Sequence, residues 1–124
     1  MHGKKNYPFI KPPSDLDIEL DDGTGDDEYL SVLACTLPRV IDEFCTDFIF
    51  YQAGVDVLAT DKLGKLSLSM QGCHERDEMA LSVAHRYGIP VAVVMGGGYS
   101  DDVDTVVEGH CGVFRVAKGL IRGG

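Results

Sequence analysis

Asp56 and Tyr99 are the two side chains whose setting suggests chemistry. Asp56 follows the aromatic and β-branched run Phe48-Ile49-Phe50-Tyr51 after Gln52-Ala53-Gly54-Val55, and Tyr99 follows the apolar run Ile89 to Met95 after Gly96-Gly97-Gly98. Three successive residues without a Cβ let backbone approach a ligand closely and hold a tyrosine at the rim of a cleft. The chemistry on offer is that of a carboxylate and a phenol beside an approachable glycine turn. A turn of this kind ahead of a helix can also cradle phosphate, which makes a small nucleotide-binding domain one alternative and a purely structural turn another. Against the phosphate reading, neither G-x-G-x-x-G nor G-x-x-x-x-G-K-[ST] occurs, and Asp101 and Asp102 place negative charge beside any bound anion.

The elements that position these residues follow from hydrophobic period and punctuation. The two apolar runs, beginning at Phe48 and Ile89, predict buried strands, with Pro90 tolerable at a strand start. Between them Ser69 is placed to cap a long helix that turns Met70, Cys73, Met79 or Ala80, Val83, Ala84 and Tyr87 inward and stops at Gly88. Strand, helix, strand is a βαβ unit with parallel strands and a right-handed crossover. Ligands of open parallel sheets collect beyond the C-terminal strand ends, so the loops carrying Asp56 and Tyr99 face one cleft. Arg76 and Asp77, on the crossover helix, read as surface or packing salt-bridge partners.

Upstream, Met1 to Pro13 reads as a basic, aromatic, Pro-punctuated loop. Asp15 to Leu20 alternates polar and apolar residues and predicts a short edge strand. A turn at Asp21-Asp22-Gly23-Thr24-Gly25 leads into a helix whose first turn carries Asp26, Asp27 and Glu28, where negative charge is favoured. Its apolar positions are Tyr29, Leu30, Leu33, Leu37, Val40, Ile41 and Phe44, with Pro38 inside. Asp101 and Asp102 open a last helix through about Ala117, with Val103, Val106, Val107, Val113 and Phe114 available for packing.

The 124 residues suit one domain, and 20 acidic against 11 basic side chains give a formal charge of −9. That balance disfavours direct nucleic-acid binding. No apolar run is long enough to span a membrane and the N-terminus has no signal-peptide core, so the expected location is cytoplasmic, with no membrane partner. Cys35, Cys45, Cys73 and Cys111 lie far apart without a C-x-x-C pair, which predicts reduced, mostly packed thiols. Strands apolar on both faces normally sit inside a larger sheet, whereas this chain supplies two such strands and one short edge strand. It reads as part of a domain, with open strand edges.

Together, Asp47-Phe48-Ile49-Phe50-Tyr51-Gln52-Ala53-Gly54-Val55-Asp56, Asp61-Lys62-Leu63-Gly64 and Val94-Met95-Gly96-Gly97-Gly98-Tyr99-Ser100 resemble the histone deacetylase family. The likeness is greatest to its bacterial and class IV-like branch, where Met1-His2-Gly3 and Asp21 through Leu30 also fit. The resemblance implies an arginase/deacetylase-like fold: three-layer α/β/α with a mainly parallel sheet, present here as an incomplete C-terminal portion (residues 1–124) with two to three strands and three helices. It also implies a zinc-dependent hydrolase acting on acetyl-lysine or a related small acylated amine. By the same resemblance Asp56 is a carboxylate ligand of Zn²⁺, Tyr99 donates its hydroxyl to the oxyanion, and Gly97 and Gly98 form part of the substrate-channel floor. Phe9 or Tyr7 lines its wall.

The family's Asp-x-His ligand pair and its tandem His-His base have no counterpart in this sequence. A catalytic zinc takes three protein ligands and an open position. His74, His85 and His110 are expected on helices away from the strand ends, and His2 in the N-terminal loop. The chain alone is therefore expected to be inactive, its site completed by an upstream fragment. The alternative is a non-catalytic module that completes a sheet or forms a homo-oligomer. Asp61 is expected to organise its own loop.

Overall fold

The computed structural model describes residues 1–123. Four short strands and three helices alternate as β1 (His2–Gly3), β2 (Glu19–Leu20), α1 (Asp26–Phe44), β3 (Ile49–Gly54), α2 (Met70–Tyr87), β4 (Val91–Gly96) and α3 (Val103–Gly123). The βαβ unit is present as expected. β3 and β4 pair in parallel from Ile49 opposite Val91 to Gly54 opposite Gly96, so both strands end at the same level.

One face of this pair packs on the helices. Ala53 joins Leu81 of α2 and Val113 of α3, with Tyr51, Val91 and Val116 against them. The other face carries Phe50, 78% exposed, and Phe48, whose ring sits 5.0 Å from it. Val93, Val94 and Met95 of β4 are also exposed. These are the open edges and uncovered apolar surface expected of strands taken from the middle of a sheet.

Helix starts are tied together. Asp26, at the head of α1, accepts from the Ser69 amide (2.8 Å) and from its hydroxyl (2.6 Å), while the Ser69 hydroxyl oxygen accepts from the Gly72 amide and caps α2. A Cβ at position 72 would run into the Asp26 carboxylate. α2 ends at Gly88, whose φ of +68° lets its amide return to Ala84. α3 presses on its neighbours through glycines: a Cβ at Gly112 would strike the His74 ring of α2, and one at Gly109 would lie 2.9 Å from Val55.

Several expectations are corrected. The N-terminal segment is not all loop, because His2–Gly3 pairs in parallel with Glu19–Leu20. Of the strand predicted over Asp15 to Leu20 only Glu19 and Leu20 form one, since it has just two partner residues to pair with. α3 runs to Gly123 rather than to about Ala117. Its packed side is Gly109, Gly112 and Val113, leaving Val103, Val107 and Phe114 exposed, as are Phe44 and Tyr87 at the ends of α1 and α2. All four thiols are free as expected, but only Cys73 is buried, with Cys111 half-buried and Cys35 and Cys45 exposed. Among the described residues no helix is long and apolar enough to cross a membrane.

Candidate functional site

The site is built where β3 and β4 end. The Val55 amide donates to the Gly96 carbonyl (3.0 Å), carrying the pairing one residue past the strands. Asp56 follows, half-buried, and is lodged among glycines. Ideal Cβ atoms at Gly54 and Gly97 would lie 2.6 Å from its Oδ1 and 2.7 Å from its Cβ, and one at Gly64 would overlap its carbonyl. Gly97 has a φ of +68° and Gly98 of +110°, backbone that other residues rarely adopt. The glycine turn is needed both for its conformation and for the closeness of Asp56.

Asp61 does more than organise its own loop. Its Oδ1 accepts from the Leu63 (2.9 Å) and Gly64 (2.8 Å) amides, and its Oδ2 accepts from the Tyr99 amide (2.8 Å) on the other strand's loop. Burial pushes this carboxyl up, but the amides of Gly64, Tyr99, Leu63 and Gly98 outweigh it and hold the group below the usual carboxylate range. The Lys62 amide returns a bond to the Tyr99 carbonyl, and its ammonium pairs with Asp101. One carboxylate thus holds the two loops together, bringing Asp56 and the turn that carries Tyr99 to one place. The Tyr99 side chain itself is 58% exposed.

A cavity of about 590 Å³ opens on the Asp56 side, lined by Asp56, Gly54, Tyr51, Arg76, Tyr29 and Tyr7 among others. Phe9 is not among its lining residues and is 82% exposed. Tyr7 lines this cavity, whereas Gly97, Gly98 and Tyr99 are not among its lining residues. His2 reaches the cavity too, from β1.

Arg76 and Asp77, read from sequence as surface or packing partners, are buried at 3% and 0% exposure. Asp77 Oδ1 accepts from Arg76 Nε (3.0 Å), from Arg76 Nη2 (2.8 Å) and from the Tyr51 hydroxyl (2.5 Å), while Arg76 Nη1 donates to the Gly54 carbonyl (2.5 Å). Burial drives the Tyr51 phenol up, and the Asp77 charge adds to it. Burial alone would lower the Arg76 guanidinium, but Tyr51, Cys73 and Asp77 reverse this and raise it. The signal was present in the sequence. Positions 73, 76, 77, 81 and 84 form one helical stripe, and all five are buried.

The helical histidines differ. His85 is exposed in the last turn of α2, and His74 packs against α3 with a buried Nε2 that has no hydrogen-bond partner. His110 is closer to the strand ends than expected, its Nε2 lying 3.8 Å from where a Gly98 Cβ would stand. Among the described residues no three His, Cys, Asp or Glu side chains come together in a way that could hold a metal ion. A complete zinc site therefore does not fit the donors of this chain alone. The phosphate alternative loses ground as well: Asp102 accepts from the Asp104 amide (3.1 Å) and from the Thr105 hydroxyl (2.5 Å), so a carboxylate already occupies the start of α3.

A parallel βαβ unit with a carboxylate and a glycine turn at its C-terminal end defines an α/β protein with a candidate site at its strand ends. Residues 3–114 match the family model for the histone deacetylase domain, and the chain belongs to that family. It is 40% identical over 118 residues to an uncharacterized protein of Picosynechococcus sp. and 34% identical over 102 residues to histone deacetylase 2 of Arabidopsis thaliana. These alignments cover 95% and 80% of this chain, but only 39% and 26% of the two relatives. Among solved structures it resembles acetylpolyamine aminohydrolase from Burkholderia pseudomallei, with a TM-score of 0.76 at 19% identity over 96% of this chain and 36% of that one. The HDA15 HD domain matches with a TM-score of 0.66 at 22% identity, over 82% of this chain and 28% of that one. The fold is thus the arginase/deacetylase-like α/β fold expected from sequence.

Proposed function

We propose that residues 1–124 form the C-terminal part of a deacetylase-like domain and supply the Asp56 and Tyr99 side of a site that hydrolyses acetyl-lysine or a small acylated amine. The observation that carries this reading is the meeting of Asp56 with the Gly97–Tyr99 turn, through glycines that leave no room for a Cβ and through Asp61. In this reading Asp56 is one carboxylate donor to Zn²⁺, and the remaining donors and the general base come from polypeptide other than this chain. Tyr99, exposed and held by its backbone, points a phenol that donates to the substrate carbonyl as it gains charge. Gly97 and Gly98 form the floor beneath the acyl group, and Tyr7 borders the approach. The chain acts in the cytoplasm on acylated amines.

The test incubates an acetyl-lysine peptide and an N-acetylated polyamine with the chain and Zn²⁺. The chain is used alone and mixed with the part of the Picosynechococcus relative outside the matched segment. Acetate release is expected only in the mixture. It should disappear with Asp56→Ala and fall roughly 10²–10³-fold with Tyr99→Phe, the usual cost of removing one oxyanion donor. Release that survives Asp56→Ala would contradict the reading.

A second reading rests on a separate observation, the open edges of the β3–β4 pair with Phe50, Val94 and Met95 exposed. In it the chain is a sheet-completing or self-associating module. Light scattering that finds a monomer at all concentrations, with no uptake of the complementary segment, would count against it.

A further inference from the structure

The buried Arg76, Asp77 and Tyr51 group has no part in the chemistry assigned to Asp56 and Tyr99. A buried ion pair is not by itself a source of stability, because desolvation of both charges offsets their attraction. Its geometry indicates what else it does.

In a trans peptide the C=O and N–H point in opposite directions. The plane joining Gly54 to Val55 directs its N–H toward β4, where it donates to the Gly96 carbonyl at 3.0 Å. Its C=O therefore points to the other, unpaired edge of β3. There Arg76 Nη1 donates to it at 2.5 Å. Among the described residues no other β3 carbonyl accepts a bond from a side chain. This single plane is held from both sides, by β4 and by α2. It lies one residue ahead of the plane that leads into Asp56, and the Asp56 Oδ1 sits 2.6 Å from where a Gly54 Cβ would be. The guanidinium is itself kept from rotating, because Asp77 Oδ1 takes both Nε and Nη2 while the Tyr51 hydroxyl fixes Asp77 from β3.

We propose that Arg76 is a positioning residue for Asp56: by gripping the Gly54 carbonyl at the open edge of β3, it fixes the Gly54–Val55 peptide, one residue ahead of Asp56, beside which the Asp56 carboxylate is lodged. Asp77 and Tyr51 hold Arg76 in place for this. The functional meaning rests on the reading of Asp56 as a ligand-facing carboxylate; the grip does not.

Backbone amide exchange on the ¹⁵N-labelled full chain tests it, comparing wild type with Arg76→Met, Arg76→Lys and Tyr51→Phe. Arg76→Met is expected to speed exchange of the Val55 amide about tenfold more than that of Leu81, Val83 and Ala84 in the core of α2, the mark of local rather than global opening. Arg76→Lys, which keeps a donor for the Gly54 carbonyl, should restore most of the Val55 protection, and Tyr51→Phe should have a smaller effect in the same direction. Equal acceleration at Val55 and in α2, or equal behaviour of the Lys and Met variants, would overturn the proposal. Should Arg76→Met not fold, the wild type decides alone: slowly exchanging, resolved Nη protons on Arg76 are expected, and freely averaging ones would overturn it. Zinc titration of the chain mixed with the complementary segment of the Picosynechococcus relative, wild type beside Asp56→Ala, separates the two ideas, since a metal response independent of Asp56 removes the ligand reading and leaves the exchange result to judge Arg76.

Discussion

The two strand ends that meet at this site are held in opposite ways. At the end of β3 nearly everything is buried: Ala53, Val55, Arg76 and Asp77 are all at or below 3% exposure, and the Gly54–Val55 peptide is bonded on both sides. At the end of β4, Val93, Val94, Met95 and Tyr99 are exposed, and the Tyr99 loop is held by Asp61 and Lys62 of the opposite loop. The carboxylate side is built into the fold, and the phenol side is tethered to it. This division suits a site in which Asp56 must be fixed before anything binds, while Tyr99 only has to be held near it.

The contrast can be broken most forcefully at the buried pair. Asp77→Ala leaves the Arg76 charge buried without its partner, and such losses cost about 3–5 kcal/mol. Urea denaturation should record a drop of that order, and a change under about 1 kcal/mol would mean that water reaches the pair.

Two glycines with the same φ of +68° separate backbone strain from crowding. Gly88→Ala meets nothing within 4 Å, so it carries only the left-handed penalty of about 1–2 kcal/mol. Gly97→Ala adds a Cβ 2.7 Å from Asp56. It should be the more destabilising of the two, and it alone should shift the Asp56 and Val55 amide signals.

A smaller effect is expected at the tether. Because the Asp61 carboxyl is held below its ordinary value, its contribution is present above the unfolded carboxylate range, near pH 4, and is lost as pH falls through the lower folded value. Amide exchange at Leu63, Gly64 and Tyr99, corrected for the intrinsic pH dependence, should rise below about pH 4 in the wild type. In Asp61→Asn it should already be raised at neutral pH and show no such step. The smallest effect belongs to Tyr99→Phe, which removes only an exposed hydroxyl and should leave stability within about 0.5 kcal/mol.

What the sequence conveyed divides along similar lines. β3, α2 and β4 were legible because each is long enough for its period to show, and Ser69 and Gly88 mark the helix ends. β1 was not, since two residues carry no period and the strand exists only through pairing with Glu19–Leu20. The alternation over Asp15 to Leu20 overstated a strand for the same reason. For Arg76 and Asp77 the sequence leaves surface and packing pairs both open, because charge favours one and their place on the stripe with Cys73 and Ala84 the other; the structure has the packing pair. Val107 and Phe114 were misjudged: they are apolar, but glycines at 109 and 112 let α3 pack closely on its other side. For the site, Asp56 and Tyr99 were visible as strand-end residues. The reach of Asp61 across to Tyr99 was not, because no local pattern encodes a bond spanning 38 positions.

The role of Asp56 is best settled by zinc calorimetry on the chain mixed with the complementary segment of the Picosynechococcus relative, wild type beside Asp56→Ala. If Asp56 is a metal ligand, the wild-type mixture binds zinc at micromolar concentration or tighter and the Asp56→Ala mixture loses that site. Equal affinity in the two mixtures would contradict it.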